Sequence, residues 1–460
     1  MYNAWLAQLV EHHQIAGLTI VRQWDNVLLD LMLLHLGNAF GFVAAEKIAV
    51  SFAVLVFFWA CFSFLAEASG RPPWLLTPLL MMFAYGYAFH MGFMNYYLSI
   101  GLAFFVLALA WRGGAGNWLF AVPLCAASFI AHPIGPLVAV SLAGYIWIWR
   151  RMKGWVRFSL PVVTVVCFVL LRLFLTSHDT YQAGWRSSEY FQLFGQDQVD
   201  LFGRRYGVLS WVVLAWAAVC VVAALYDWVM RARKPSPFLR LAAEIYIVAI
   251  LVTACLPENV RVSIYAGWVG LLVSRLTLVT AIFGLLILAS LRLPRWAVYG
   301  NVLCAAVFFV FLYQDTGKLD RLEASARAVA QTLPIGARIV AVANPPEDWR
   351  IQFIYHSIDR ACIGRCFSYA NYEASSLQFR VRALPGNYYV TTSVDQSDDL
   401  SSGDYVVRQK DLPLTSIYQC DESDFTQLCA LPLRAGQKTE DPESEPAPAV
   451  PAHGDSDSEN

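Results

Sequence analysis

The sequence predicts an α-helical polytopic membrane protein, with about 10–11 transmembrane helices and a small C-terminal exported α/β domain. Three observations carry this. First, 58% of the 460 residues are apolar or aromatic, 15% are charged, and mean hydropathy is +0.49, outside the range of ordinary soluble domains. Second, the chain contains ten apolar stretches near the length of about 20 residues that crosses a bilayer. Third, the net charge of -1 averages two unlike regions: residues 1–313 hold 20 Lys/Arg against 12 Asp/Glu, and residues 314–460 hold 13 against 22. No basic block flanks an aromatic array, so nucleic acid is not an expected partner. No n-region, h-region and small-residue cleavage site near Met1 suggests a removable signal peptide.

The N-terminal stretch, residues 1–46, reads as part of an outer loop. Tyr2, Trp5, Leu6, Leu9 and Val10 fall on one helical face opposite Asn3, Gln8, Glu11 and His12, the pattern of a helix lying in a membrane interface. Asn26 to Gly41 is apolar but gathers Asn26, Asp30, His35 and Asn38 on about half of its wheel, and its rise of about 24 Å is short for a span. The favoured reading places it in the interface with the N-terminus outside, which expects a further transmembrane helix before residue 1. The alternative is an eleventh span and a cytoplasmic N-terminus.

The membrane region, 47–313, contains the ten stretches: 47–67, 74–90, 94–111, 117–131, 134–149, 155–175, 207–230, 239–256, 267–291 and 296–313. One set of alternate loops carries Arg71, Arg112, Arg150, Arg151, Lys153, Arg157, Arg231, Arg233, Lys234, Arg240, Arg292 and Arg295. The opposite set carries only Lys47, Arg186, Arg204, Arg205 and Arg261. Cations are retained on the cytoplasmic side, so the first set is expected there. The chain then sits in a bacterial inner membrane with its C-terminal domain outside.

From Lys318 the composition becomes that of a soluble domain, 314–437. Leu319 to Leu333 reads as an amphipathic helix stopped by Leu333-Pro-Ile-Gly336. Strand-like runs follow at Arg338–Val342, Phe379–Val381, Tyr388–Thr392, Tyr405–Arg408 and Leu428–Leu433. The last stretch, 438–460, is acidic and rich in Pro and Ser, with too little apolar surface to fold. Six cysteines lie in apolar segments as packing residues. Cys362, Cys366, Cys420 and Cys429 lie in the exported domain, where two disulfides with three possible pairings are expected. Cys362 and Cys366 with His356 could instead begin a metal site.

Charge within an apolar segment is costly and tends to face a wet cavity or an anion. Arg275 lies about two turns inside its expected helix, where it either snorkels to the interface or holds an anion. Two outer turns bring polar groups to the same face: His90 with Asn95, and His132 in the Ala131–Pro136 turn. They could serve as caps or bind a hydroxylated or phosphorylated group. The long outer loop, 177–206, mixes Tyr181, Trp185, Arg186, Tyr190, Phe191, Phe194 and Phe202 with Arg204 and Arg205, which suits a headgroup interface or a sugar. Glu11, Asp25 and Asp30 are the acids on that side. One could act as a general base on a hydroxyl, or help hold a divalent cation; the residues specify no other cofactor.

The interfacial helix at 2–12, the Gln23-Trp24-Asp25-Asn26 junction, the second interfacial helix ending Gly37-Asn-Ala-Phe-Gly41, the helix opening Ala45-Glu46-Lys47 and the exported α/β tail together resemble the C-type glycosyltransferase superfamily, by architecture over residues up to about 430. The resemblance implies an inverting membrane enzyme that takes a sugar from a polyprenyl-phosphate donor. It also implies a first helix and an acidic motif at the start of the outer loop, upstream of this chain's Met1, so it carries no catalytic acid onto a matching residue. Sugar transfer at the outer leaflet is therefore the leading expectation. Asp25, Asp30 or Glu11 would be the base, the donor phosphate would lie near Arg275, Arg204 or Arg205, and membrane lipid would surround it. A non-catalytic anchor displaying the disulfide-bonded domain is the main alternative. A transporter or flippase is disfavoured, because no internal repeat and few mid-helix ionisable sites are present.

Overall fold

The computed structural model of the chain describes residues 1–178, 182–185, 192–231, 234–261, 268–351, 355–421 and 424–439. Tyr181, Arg186, Tyr190, Phe191 and Arg233 lie outside the described residues, as does the tail from 440 onward. The N-terminal part consists of α1 (Tyr2–Glu11), β1 (Leu18–Ile20) and α2 (Leu28–Phe40). A helical bundle follows: α3 (Phe42–Ser69), α4 (Thr77–Ala84), α5 (Tyr87–His90), α6 (Met94–Arg112), α7 (Ala115–Ala131), α8 (Ile134–Arg151), α9 (Ser159–Ser177), α10 (Arg204–Arg231), α11 (Leu239–Cys255), α12 (Leu272–Ser290) and α13 (Ala297–Thr332).

Among the described residues six helical segments are long and apolar enough to cross a membrane: Phe42–Ser69, Met94–Arg112, Gly154–Ser177, Arg204–Arg231, Leu272–Ser290 and Ala297–Thr332. This is compatible with a multi-pass membrane protein. Leu28–Phe40 and Ala115–Ala131 are apolar but shorter. α6 forms the centre of the bundle, with Tyr96, Tyr97 and Phe104 fully buried and Tyr97 stacked on Phe57 of α3 at 4.5 Å. Small residues let the helices approach closely: Ala45, Ala49 and Ala53 of α3 are fully buried, and the first two pack with Leu29, Leu33 and Leu34 of α2. At the other extreme, α9 buries no side chain within the protein.

Two expected boundaries move. The 74–90 stretch is not one helix but a 3-10 turn, Trp74–Leu76, followed by α4 and α5. The break falls at Gly86, where a Cβ would lie 2.6 Å from the Gln198 carbonyl, so only glycine admits that backbone. At the other end, the span expected at 296–313 and the amphipathic helix at 319–333 are a single 36-residue helix, α13. Its length of about 54 Å carries it out of the bundle and into the C-terminal region.

That region is built on a four-stranded sheet of β5 (Ala337–Val342), β6 (Cys366–Ser368), β8 (Thr415–Gln419) and β9 (Leu428–Pro432), in the order β6-β5-β8-β9. β5 pairs in parallel with β6 and β8, and β8 pairs antiparallel with β9. β5 is central and buried over Ile339, Val340, Ala341 and Val342, as expected of a strand covered on both faces. Helices α14 (Tyr355–Ala361) and α15 (Val394–Ser402) complete it. β7 (Val381–Ala383) leaves the sheet and pairs antiparallel with β1, Leu18 opposite Ala383, which ties the N-terminal segment to the C-terminal region. A third sheet, β2 (Gln182–Gly184), β3 (Asn259–Arg261) and β4 (Trp268–Val269), lies between the bundle loops.

Tyr388–Thr392 is not a strand, because the Asn387 side chain accepts from the Tyr389 and Val390 amides and turns the chain. Tyr405–Arg408 makes only a single bridge, Val406 to Lys438. Lys438 and Thr439, expected in the unfolded tail, are held by that bridge and by a Thr439 amide bond to Tyr405. The cysteines pair as Cys362–Cys366 and Cys420–Cys429, with Cα separations of 4.5 and 5.5 Å. His356 bonds to Asp359 rather than to either sulfur pair.

Candidate functional site

The first turn of α6 organises a polar site where the bundle, the N-terminal helices and the C-terminal region meet. Asn95 pins the start of α2: its Nδ2 donates to the Asn26 carbonyl at 3.0 Å, and its Oδ1 accepts from the Leu29 amide at 2.8 Å. Asn26 adopts a left-handed backbone, φ 55°, which asparagine tolerates. This sets Asp30, one residue after Leu29, within the site. On the other side of the turn the Tyr96 hydroxyl donates to the Arg275 carbonyl at 2.6 Å, and the Arg275 guanidinium lies 4.1 Å from the Phe93 ring.

Arg275 is the fourth residue of α12, so it lies in the first turn and not two turns inside the helix. The helix starts late because Leu271 is left-handed, φ 58°, and Glu258 caps the end from outside. The Glu258 carboxylate accepts from the Val273 and Ser274 amides and the Ser274 hydroxyl at 3.1, 3.4 and 2.7 Å, which neutralises the positive helix end. It is therefore engaged. Among the described residues the Arg275 guanidinium has no hydrogen-bond or ion-pair partner, and its Nε is fully buried. Arg275 is half-buried: its Nε is enclosed without a partner while its terminal nitrogens stay accessible, so the fork can receive an anion.

His132 joins the same site, edge-on to Tyr96 at 5.7 Å. Its carbonyl accepts from Ser99 at 2.6 Å, and its Nδ1 faces the Ile134 amide at 3.3 Å, which leaves the proton on Nε2 in the neutral ring. Gly135 makes the turn possible, since a Cβ there would fall 2.0 Å from Ser99 Oγ.

The C-terminal region supplies the remaining wall. His356 Nδ1 bonds Asp359 at 2.9 Å, and the His356 ring stands 5.9 Å from Tyr372. Asn371 caps the short Tyr372–Ala374 turn through the Glu373 amide. Among the described residues neither the Asp30 nor the Glu373 carboxylate is hydrogen-bonded or ion-paired. Burial pushes Asp30 up to about 6, against the amino group of Met1 and Arg380. Burial likewise pushes Glu373 up to about 7, with His356 opposing and Asp30 reinforcing the shift. Burial draws His356 down, but its hydrogen bond to Asp359 and that carboxylate's charge leave it raised. The charge of Arg275 reaches Tyr372, the chain neighbour of Glu373.

The structure thus brings Asn95, His132 and Arg275 together around the first turn of α6, places Asp30 on the turn of α2 that Asn95 pins, and sets the other candidates apart. Glu11 stands 3.8 Å from Arg380. Asp25 is on the rim, where its carbonyl accepts from Gln23. His90 packs against Phe89 and Phe202 with a buried, unbonded Nε2. The Arg204 side chain is exposed. Arg205 is committed to Asp315 and Gln314. Sequence reasoning missed Glu373, Tyr372 and the His356–Asp359 pair as site residues, because their meeting with Asp30 depends on the β1–β7 pairing. Among the described residues no three His, Cys, Asp or Glu side chains converge as a metal site. No protein-family model, curated protein or solved structure matches the chain.

Proposed function

We propose that the chain transfers a sugar from a polyprenyl-phosphate donor to an acceptor hydroxyl at the outer leaflet of a bacterial inner membrane, with its C-terminal region exported. The observation that supports this reading best is the half-buried guanidinium of Arg275, which has no hydrogen-bond or ion-pair partner among the described residues. A phosphate is the natural complement of such a fork. In the reaction, the acceptor oxygen attacks the sugar C1 as the C1–O bond to phosphate breaks. The bonding pair stays on the phosphate, which Arg275 stabilises, and the acceptor proton passes to Asp30. The His132 Nε2–H and Asn95 lie where they can orient hydroxyl groups. The test is transfer in proteoliposomes supplied with a polyprenyl-phosphate sugar. Asp30→Asn should lower the rate by about 100-fold or more while the protein still folds; transfer at the wild-type rate would remove Asp30 from the chemistry, and no transfer by the wild type would favour an anchor.

A further inference from the structure

Beside Asp30, whose neighbour Leu31 lines it, lies a cleft. It has a volume of about 370 Å³ and is lined by Ile20, Val21, Arg22, Gln23, Val27, Leu31 and Arg380, which places it within the roughly 300–1,000 Å³ of small-molecule sites. Its composition is divided. Ile20, Val21, Val27 and Leu31 give it apolar walls, and Arg22 and Arg380 add two guanidinium groups. Arg380 is largely buried at 14% side-chain exposure; among the described residues it pairs with Glu11, at 3.8 Å and itself 39% exposed, and its charge also reaches Asp30. Arg22 rests 4.2 Å over Trp24, an indole 62% exposed at the lip, as is common where protein meets headgroups. Gln23 donates its Nε2 to the Asp25 and Gln378 carbonyls, while its Oε1 is buried without a partner. The cleft is framed by the pairing of β1 with β7 and by the Val21 amide, which donates to the carbonyl of Arg380, the residue before β7, at 2.9 Å.

We propose that this cleft binds an anionic amphiphile, its phosphate on Arg380 and Arg22 and its apolar chain along Ile20, Val21, Val27 and Leu31, with the Gln23 carbonyl oxygen accepting from a headgroup hydroxyl. Asp30 adjoins this cleft, since its neighbour Leu31 lines it and the charge of Arg380 reaches the carboxyl. On the transfer reading above, from which this last step follows, the second amphiphile is the acceptor, so the acceptor is a phosphorylated, lipid-linked molecule rather than a free sugar.

The test is direct binding to the full chain in phosphatidylcholine nanodiscs by native mass spectrometry, with dioctanoyl phosphatidic acid, dioctanoyl phosphatidylcholine and inorganic phosphate as probes. Phosphatidic acid should bind, and Arg380→Gln should weaken it by about tenfold or more, the loss expected for a charge-assisted pair. Glu11→Gln should tighten it by a few-fold, about the effect of removing one half-exposed competing charge. In Arg275→Met, which removes the other proposed phosphate site, one phosphatidic acid per chain should still bind with an affinity within about twofold, because separate sites are independent. Should Arg380→Gln fail to fold, Arg22→Gln at an exposed position carries the same comparison. Equal binding of phosphatidylcholine, or no effect of Arg380 and Arg22, would overturn the anion site. Inorganic phosphate bound as tightly as the lipid would overturn the amphiphile. If Arg275→Met abolishes transfer while the cleft binds no lipid, this inference fails and the transfer reading stands; the reverse result separates them the other way.

Discussion

Two arginines cross from one layer of this protein to another, and they are treated in opposite ways. Arg350, from the loop after β5, reaches the bundle and is fully engaged. It pairs with the buried Asp197 at 3.1 Å, donates to the Asp197 carbonyl, and lies 3.9 Å over the Tyr87 ring. Thr277 of α12 donates to the same Oδ2 at 2.6 Å, while Oδ1 is buried without a hydrogen-bond partner among the described residues. Arg275, on the same helix as Thr277, is half-buried and rests 4.1 Å from the Phe93 ring, with no hydrogen-bond or ion-pair partner among the described residues. A closed pair is a strut, and its charge is consumed in holding the C-terminal region on the bundle. An open guanidinium carries its desolvation cost without return until an anion arrives, and such sites persist where binding depends on them.

If the strut reading is right, Arg350→Met should be the most damaging change. It strands the Asp197 carboxylate in an apolar interior at a cost of about 3–5 kcal/mol, readable as a fall in melting temperature. The double change Asp197→Asn with Arg350→Met should recover much of it. A loss no larger than that of a surface pair would break the contrast.

Next in size is the Cys362–Cys366 bridge, which closes the turn that carries Arg365. That side chain caps the end of α13 through the Ala330, Gln331 and Leu333 carbonyls. Changing both cysteines to serine should cost about 2 kcal/mol, as a short closed loop implies. It should loosen the His356 wall of the site and leave the Asp197–Arg350 strut intact. Hydrogen exchange would locate the change: protection lost around Asp197 instead would contradict the assignment.

A smaller effect concerns pH. Asp30 and Glu373 are held up to about 6 and about 7, so the folded protein keeps protons that the unfolded chain releases above the ordinary carboxylate range. Stability from this source is present at low pH and is lost as pH rises through about 6 and then about 7. The groups facing Glu373 are His356 and Asp359 of α14, Asp30 of α2 and the amino group of Met1. Melting temperature should therefore fall from pH 5 to pH 8, and the double variant Asp30→Asn, Glu373→Gln should flatten that slope. An unchanged slope would place both carboxyls in water.

The comparison also separates what local sequence encodes from what it does not. The apolar spans, the amphipathic N-terminal helix and the unusual Arg275 are legible, because each is a property of neighbouring residues. The continuity of α13 is not legible from composition, since the polarity changes at Gln314 while no proline stops the helix before Pro334. The broken 74–90 stretch is hidden for another reason: the Gln198 carbonyl that displaces it at Gly86 comes from more than a hundred residues away. Asp30 was legible as one of three candidate acids. Its selection over Glu11 and Asp25 follows from Asn95, and Glu373 becomes visible only when β7 pairs with β1.

The central claim, that Arg275 is held open for a phosphate, is tested most directly by binding a short-chain polyprenyl phosphate to wild-type protein, Arg275→Met and Arg275→Lys under one set of nanodisc conditions. Methionine removes a half-buried charge that has no ion-pair partner among the described residues, so it should fold with a melting temperature equal to or above wild type while losing about tenfold or more in affinity. Lysine should recover part of the loss, as a point charge without the planar fork. Wild-type affinity in Arg275→Met, with the fold intact, would contradict the account and reduce Arg275 to a cation resting on Phe93.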